Sequence, residues 1–105
     1  MPVDTAQLSI AGTLAGCGPA FAAMFIEALA DGALKQGLPR ALAYQLASQV
    51  LVGTGKLQLA TGAHPGAMKD AVCSPGGTTI RGVEALEANG MRHAFMEAVK
   101  ATIER

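Results

Sequence analysis

Residues Pro39 to Thr61, PRALAYQLASQVLVGTGKLQLAT, read as one long helix with apolar side chains on two faces. Leu42, Leu46, Val50, Gly53 and Leu57 make one stripe at the three- and four-residue steps of a helix. Ala43, Ala47 and Leu51 make a second. A helix at the surface of a domain needs a single apolar stripe, so two stripes imply contact on both sides. The small residues let neighbouring backbones approach closely. Such a helix belongs in the middle of a bundle or of an interface between subunits.

The punctuation on either side extends the helical reading. Leu38-Pro39 opens the long helix, because proline fits the first turn, where its missing N–H is not needed. Gly37 marks the stop of the helix before it. In that preceding helix Phe21, Met24, Phe25, Ala28 and Leu29 recur at amphipathic spacing, and Gly18-Pro19 reads as its start. Residues Val3 to Ala15 carry a looser helical stripe of Leu8, Ile10, Ala11 and Leu14, interrupted at Gly12 and Gly16. Downstream, Gly62-Ala63-His64-Pro65-Gly66 breaks the chain, and a short helical turn follows over Ala67 to Cys73. Ser74-Pro75-Gly76-Gly77-Thr78-Thr79 is the run least compatible with a helix. Thr78 or Thr79 then reads as the N-cap of a helix bearing Ile80, Val83 and Leu86 and stopping at Asn89-Gly90. The last helix turns Phe95, Met96, Val99 and Ile103 inward and Arg92, Glu97, Lys100 and Glu104 outward. No segment alternates with a period of two. The expected class is all-α, with about five helices.

Composition narrows the function. A chain of 105 residues is most readily one domain, and its eight basic and eight acidic side chains cancel. That balance argues against nucleic acid, which needs a clustered cationic surplus. Half of the residues are hydrophobic and only 15% are charged, below the usual quarter or so of soluble domains. A small domain has too much surface for so few charges, so part of that surface is expected against another subunit. The most apolar stretch, Pro19 to Ala30, contains Glu27 and is shorter than the roughly 20 residues of a membrane span, so no membrane contact is expected. No basic segment leads into an apolar run at the N-terminus, and the cytoplasm is the expected compartment. Cys17 and Cys73 lack any CxxC or His-Cys spacing and are expected to be reduced.

Two apparent nucleotide motifs fail. Gly16-Cys17-Gly18 would need a small residue where Phe21 stands, and no strand precedes it. Gly53-Thr54-Gly55-Lys56 resembles the end of a phosphate loop, but Val50 replaces the first glycine and Leu57 follows the lysine. No cofactor-binding and no metal-binding set is expected. His64, in a turn before Pro65, reads as a structural hydrogen-bonding residue, and His93 reads as solvated. Neither histidine has a carboxylate or cysteine at ligand spacing. The five methionines sit at core spacing. Ser74 to Thr79 has two readings. Its glycines free the backbone to turn N–H groups inward beside a helix N-terminus, with three hydroxyls around, which would hold a carboxylate or phosphate without a lysine. It is also a plain helix–helix connection with a threonine cap.

The segments GCGPAF (16–21), EALADGALKQGLPR (27–40) and HPGAMKDAVCSPGGTTIRGVEALEANGMR (64–92) together resemble the C-terminal domain of the pyrroline-5-carboxylate reductases. The resemblance runs from about Gly16 to Glu104. It implies an interleaved helical bundle forming a dimer, of the kind at the C-terminus of 6-phosphogluconate dehydrogenase, and in this family dimers commonly assemble into decamers. It implies reduction of 1-pyrroline-5-carboxylate to L-proline with NAD(P)H held by an N-terminal Rossmann domain, which is absent here. The chain is therefore expected to be an excised piece, a fragment or a truncated homologue, inactive as a reductase by itself. Substrate binding is implied for Ser74, Gly76, Gly77, Thr78 and Thr79. The backbone N–H groups of Gly76, Gly77 and Thr78 and the Ser74 hydroxyl would hold the carboxylate, while Thr79 would orient the ring nitrogen as the catalytic contact. The competing reading is a stand-alone helical oligomerisation module without a ligand.

Overall fold

The computed structural model of the chain describes residues 4–103. It is all-α: α1 Thr5–Lys35, α2 Arg40–Thr61, α3 Pro65–Val72, α4 Thr78–Ala88 and α5 Met91–Ile103, with no strand among the described residues. Val3 and Glu104, assigned above to the first and last helices, lie outside that range. The helices fall into two units, one ending at Thr61 and the other beginning at Gly62.

In the first unit, α1 and α2 pack on a core of three alanines. Ala30, Ala43 and Ala47 are 2–3% exposed, and Ile26, Ala33, Leu38 and Tyr44 close around them. Alanine at these positions brings the two helix axes close, as the Ala43–Ala47 stripe requires. The turn between the helices is a Schellman motif. The Gly37 N–H donates to the Leu34 carbonyl (2.9 Å) and the Leu38 N–H to the Ala33 carbonyl (3.1 Å). Gly37 has φ +109°, a conformation only glycine adopts without strain. The Arg40 guanidinium reaches back to the Asp31 carboxylate (2.8 Å) and donates to the Tyr44 hydroxyl (3.2 Å), which pins the start of α2 to the end of α1. Those bonds, to Asp31 first and then Tyr44, raise the pKa of a group that is charged at any physiological pH.

The first helix corrects the sequence reading. Residues 5–35 form a single helix that continues through Gly12, Gly16, Gly18 and Pro19. The physical reason lies at its start. Asp4 and Gln7 form a reciprocal capping box, Oδ1 of Asp4 accepting from the Gln7 N–H (2.7 Å) and Oε1 of Gln7 from the Asp4 N–H (3.2 Å). The helix is thus nucleated upstream, and Pro19 removes only the hydrogen bond to the Ala15 carbonyl. An interior proline costs about 3 kcal/mol and a glycine about 1 kcal/mol in a helix, which the alanine- and leucine-rich remainder of α1 offsets. The face that packs on α2 also differs. It is Ile26, Ala30 and Ala33, while Met24 and Leu29 of the expected stripe stay exposed.

Continuity changes the membrane argument too. By length and composition α1 is long and apolar enough to cross a membrane, since residues 5–26 carry no charge, and the length limit drawn above for Pro19 to Ala30 does not hold.

The second unit is built differently. α4 and α5 meet across the Asn89-Gly90 turn, where Arg92 Nε pairs with Glu87 (2.6 Å). None of α3, α4 and α5 buries a residue.

Candidate functional site

The run from Ser74 to Thr79 folds as a tight turn feeding a helix. The Gly77 N–H donates to the Ser74 carbonyl at 3.0 Å, with Pro75 and Gly76 at the corners. Gly76 has φ +70°. Proline at the second position and a glycine with positive φ at the third are the pattern of a type II turn. Gly77 then has extended backbone (φ −77°, ψ 177°) and is the N-cap of α4, with Thr78 the first helical residue.

Two expectations are corrected here. Neither Thr78 nor Thr79 caps α4, because both have entered the helix. The cap is Gly77, which brings no side-chain oxygen, so no side chain satisfies the first turn. The Gly77 N–H is also committed to the turn and does not converge with its neighbours on an anion. What remains is the first-turn amides of Thr78, Thr79 and Ile80, which a helix cannot pair internally. The Ser74 and Thr79 hydroxyls stand on residues exposed to solvent. Open donors at the positive end of a helix, with no acidic side chain in the first turn of α4, suit a small carboxylate.

Upstream, His64 caps α3. Its Nδ1 accepts from the Gly66 N–H at 2.9 Å, the structural role its place before Pro65 suggested. His93 is exposed as expected, but Glu97 lies one turn on, with Nε2 to Oε1 at 3.7 Å, so it does have a carboxylate neighbour. Cys17 and Cys73 are free thiols. Gly16-Cys17-Gly18 lies inside α1 and Gly53 to Lys56 inside α2. Neither has the strand–turn–helix frame that presents backbone amides to a pyrophosphate.

The rest of the exposed surface is unusually apolar. On α2, Leu46 and Val50 of the first stripe are 50% and 53% exposed, while Ala43 and Ala47 of the second are spent on α1. Leu8 and Leu14 on α1, and Phe95 and Met96 on α5, are similarly open. Exposed apolar faces of this kind mark surfaces that a protein partner or a membrane covers.

Comparison with known proteins agrees. The family model for pyrroline-5-carboxylate reductase dimerisation matches residues 5–105. A pyrroline-5-carboxylate reductase of Treponema pallidum is 56% identical over 101 residues, covering 96% of this chain and 38% of the relative. The Escherichia coli pyrroline-5-carboxylate reductase is 52% identical over 92 residues, covering 88% of this chain and 34% of that one. Among solved structures, 1-pyrroline-5-carboxylate reductase from Streptococcus pyogenes superposes with TM-score 0.92 at 34% identity, over 99% of this chain and 40% of that one. Pyrroline carboxylate reductase from Plasmodium falciparum, crystallised with NADP bound, superposes with TM-score 0.88 at 35% identity, over 95% of this chain and 40% of its own. The chain thus spans little more than a third of the length of these relatives. It belongs to the pyrroline-5-carboxylate reductase dimerisation family.

Proposed function

We propose that this chain is the dimerisation and substrate-binding part of a pyrroline-5-carboxylate reductase, which reduces the C=N bond of 1-pyrroline-5-carboxylate with hydride from NAD(P)H to give L-proline. The observation that carries this reading is the open start of α4: a helix capped by a glycine, with unpaired amides and hydroxyl-bearing neighbours on both sides. The amides of Thr78, Thr79 and Ile80, with the Ser74 hydroxyl and the N–H of Gly76, hold the substrate carboxylate. Gly77 shapes the turn. The Thr79 hydroxyl lies one residue further along α4 and hydrogen-bonds near the ring nitrogen, orienting the imine. Fixing the imine in one pose lowers the barrier by removing the freedom a second-order encounter would have to lose.

The nicotinamide cofactor is assigned to the part of the reductase that this chain does not span, since the described residues offer it no cradle. The NADP in the Plasmodium relative supports a nicotinamide nucleotide for the whole enzyme. The open faces of α1, α2 and α5 meet a second copy in an interleaved homodimer, which the family's self-association supports. A lipid bilayer is the competing occupant of α1. Sedimentation in detergent-free buffer separates the two: a soluble dimer is expected, and recovery only with membranes or detergent would exclude it.

Titration with L-proline tests the site. Amide signals of Gly76 to Thr79 should shift in a saturable way, and shifts absent or spread evenly over the chain would reduce the loop to a connection. In the whole reductase, Thr79→Ala should lower kcat/KM about fivefold, on the order of 1 kcal/mol for one hydrogen bond. Thr79→Val tests the hydroxyl at nearly constant volume. Unchanged kinetics in both variants would remove Thr79 from the mechanism.

A further inference from the structure

Two adjacent glycines in the turn are glycines for different reasons. Gly76 needs its positive φ, and the space beside it is empty. Gly77 has an ordinary φ of −77° that any residue adopts, so its backbone makes no demand for glycine. Its surroundings do. A Cβ built on Gly77 would run into the Ser74 hydroxyl oxygen, closer than real Cβ contacts come, and would lie 3.2 Å from the Ser74 carbonyl oxygen. The Ser74 Cβ, at 3.7 Å, would be an ordinary neighbour. The hard conflict is with one rotamer of one short side chain, and the Ser74 carbonyl must also give by a few tenths of an ångström. Ser74 has χ1 as its single heavy-atom torsion, so the hydroxyl can turn away from an added methyl group, while the carbonyl contact asks for a small shift of the turn.

We infer that Gly77 is a positioning residue: its missing side chain leaves the room in which the Ser74 hydroxyl lies against the residue that caps α4, and a Cβ there would exclude it. This rests on the carboxylate-holding role proposed for the loop. It adds that a neighbour's lack of a side chain is what admits the hydroxyl to this place. Filling the space should cost the same contact as deleting the hydroxyl.

The test is a cycle of Gly77→Ala, Ser74→Ala and the double variant in this chain, with two readouts. The first needs no ligand: three-bond Hα–Hβ couplings of Ser74, which report χ1. The wild type should populate the rotamer that faces residue 77 and Gly77→Ala should lose it, with the turn intact as judged by slow exchange of the residue-77 amide. The second is the L-proline dissociation constant. Ser74→Ala and Gly77→Ala should each weaken binding about fivefold, one hydrogen bond's worth, and the double variant no further, because both remove the same contact. Unchanged Ser74 couplings in Gly77→Ala would overturn the inference. So would losses that multiply to roughly 25-fold in the double variant, the outcome for independent sites. If the wild type fails to bind L-proline while the couplings move as expected, the loop's carboxylate role is what fails and the steric placement stands.

Discussion

The two units treat their apolar residues in opposite ways. The first closes Ala30, Ala43 and Ala47 between its own two helices, whereas α3, α4 and α5 bury nothing at all. Yet the second unit carries Ile80, Leu86, Phe95, Met96 and Ile103, larger side chains than the alanines that make the first core. Exposed on one chain, those side chains contribute little to stability; burying each would add roughly 1.5–3 kcal/mol. The first unit has a small core of its own, and the second leaves its larger apolar side chains open. A member of a dimerisation family has such faces available for self-association.

The comparison breaks most sharply at α2, which has one face on α1 and one open. On a single chain, Leu46→Asp sits at a half-exposed position, where substitutions are usually worth about 0.5 kcal/mol or less. Buried in a dimer interface, the same unpaired carboxylate should cost on the order of 4 kcal/mol and yield unfolded or aggregated protein. Circular dichroism with sedimentation decides between them: a folded monomeric variant as stable as the wild type would show that the open face of α2 is not an interface. A smaller effect is expected inside the first unit. Ala47→Leu adds three carbons where the helices touch and should cost about 1–3 kcal/mol by overpacking. Its fall in melting temperature should be accompanied by loss of the α1–α2 contacts, and an unchanged melting temperature would mean that the alanine core has room to spare.

The smallest effect sharpens the contrast at the turn. Gly76→Ala meets no neighbour, but it forces φ +70° on an L side chain and should cost about 1–2 kcal/mol. That loss should be confined to the second unit, readable as faster amide exchange over residues 74–80 with exchange at Ala43 and Ala47 unchanged. Uniform acceleration would mean that the two units unfold together.

The parts of the structure that the sequence made legible have local causes. α2 begins after Pro39 and ends before Gly62 because proline and glycine act on the residues beside them. The two stripes of α2, Ala43 and Ala47 in one of them, followed from spacing alone. α1 was harder, because Gly12, Gly16, Gly18 and Pro19 look like punctuation while the capping box at Asp4 and Gln7 starts the helix upstream and the remainder of α1 carries it through them. Helix propensity is a weak prior, and a start signal fifteen residues upstream is easily missed. At the site, the motif stood out but its wiring did not. Pro75-Gly76 already specifies a type II turn, whose closing hydrogen bond uses the Gly77 N–H and pushes the cap back from threonine to glycine. Reading the turn type from that pair would have found both corrections. Which stripe meets α1 and which stays open is a long-range fact, and no local signal carries it.

The cap on α3 also fixes a tautomer. Because Nδ1 of His64 accepts from the Gly66 N–H, its lone pair is occupied and the neutral ring carries its proton on Nε2. The imidazole therefore offers its neighbours a donor and no free acceptor. It can donate from Nε2, but it cannot withdraw a proton from anything without first letting go of the helix. A ring that ordinarily serves in either direction is held as a one-way donor here. The ring's nitrogen-15 shifts, which separate the two neutral tautomers, read this directly.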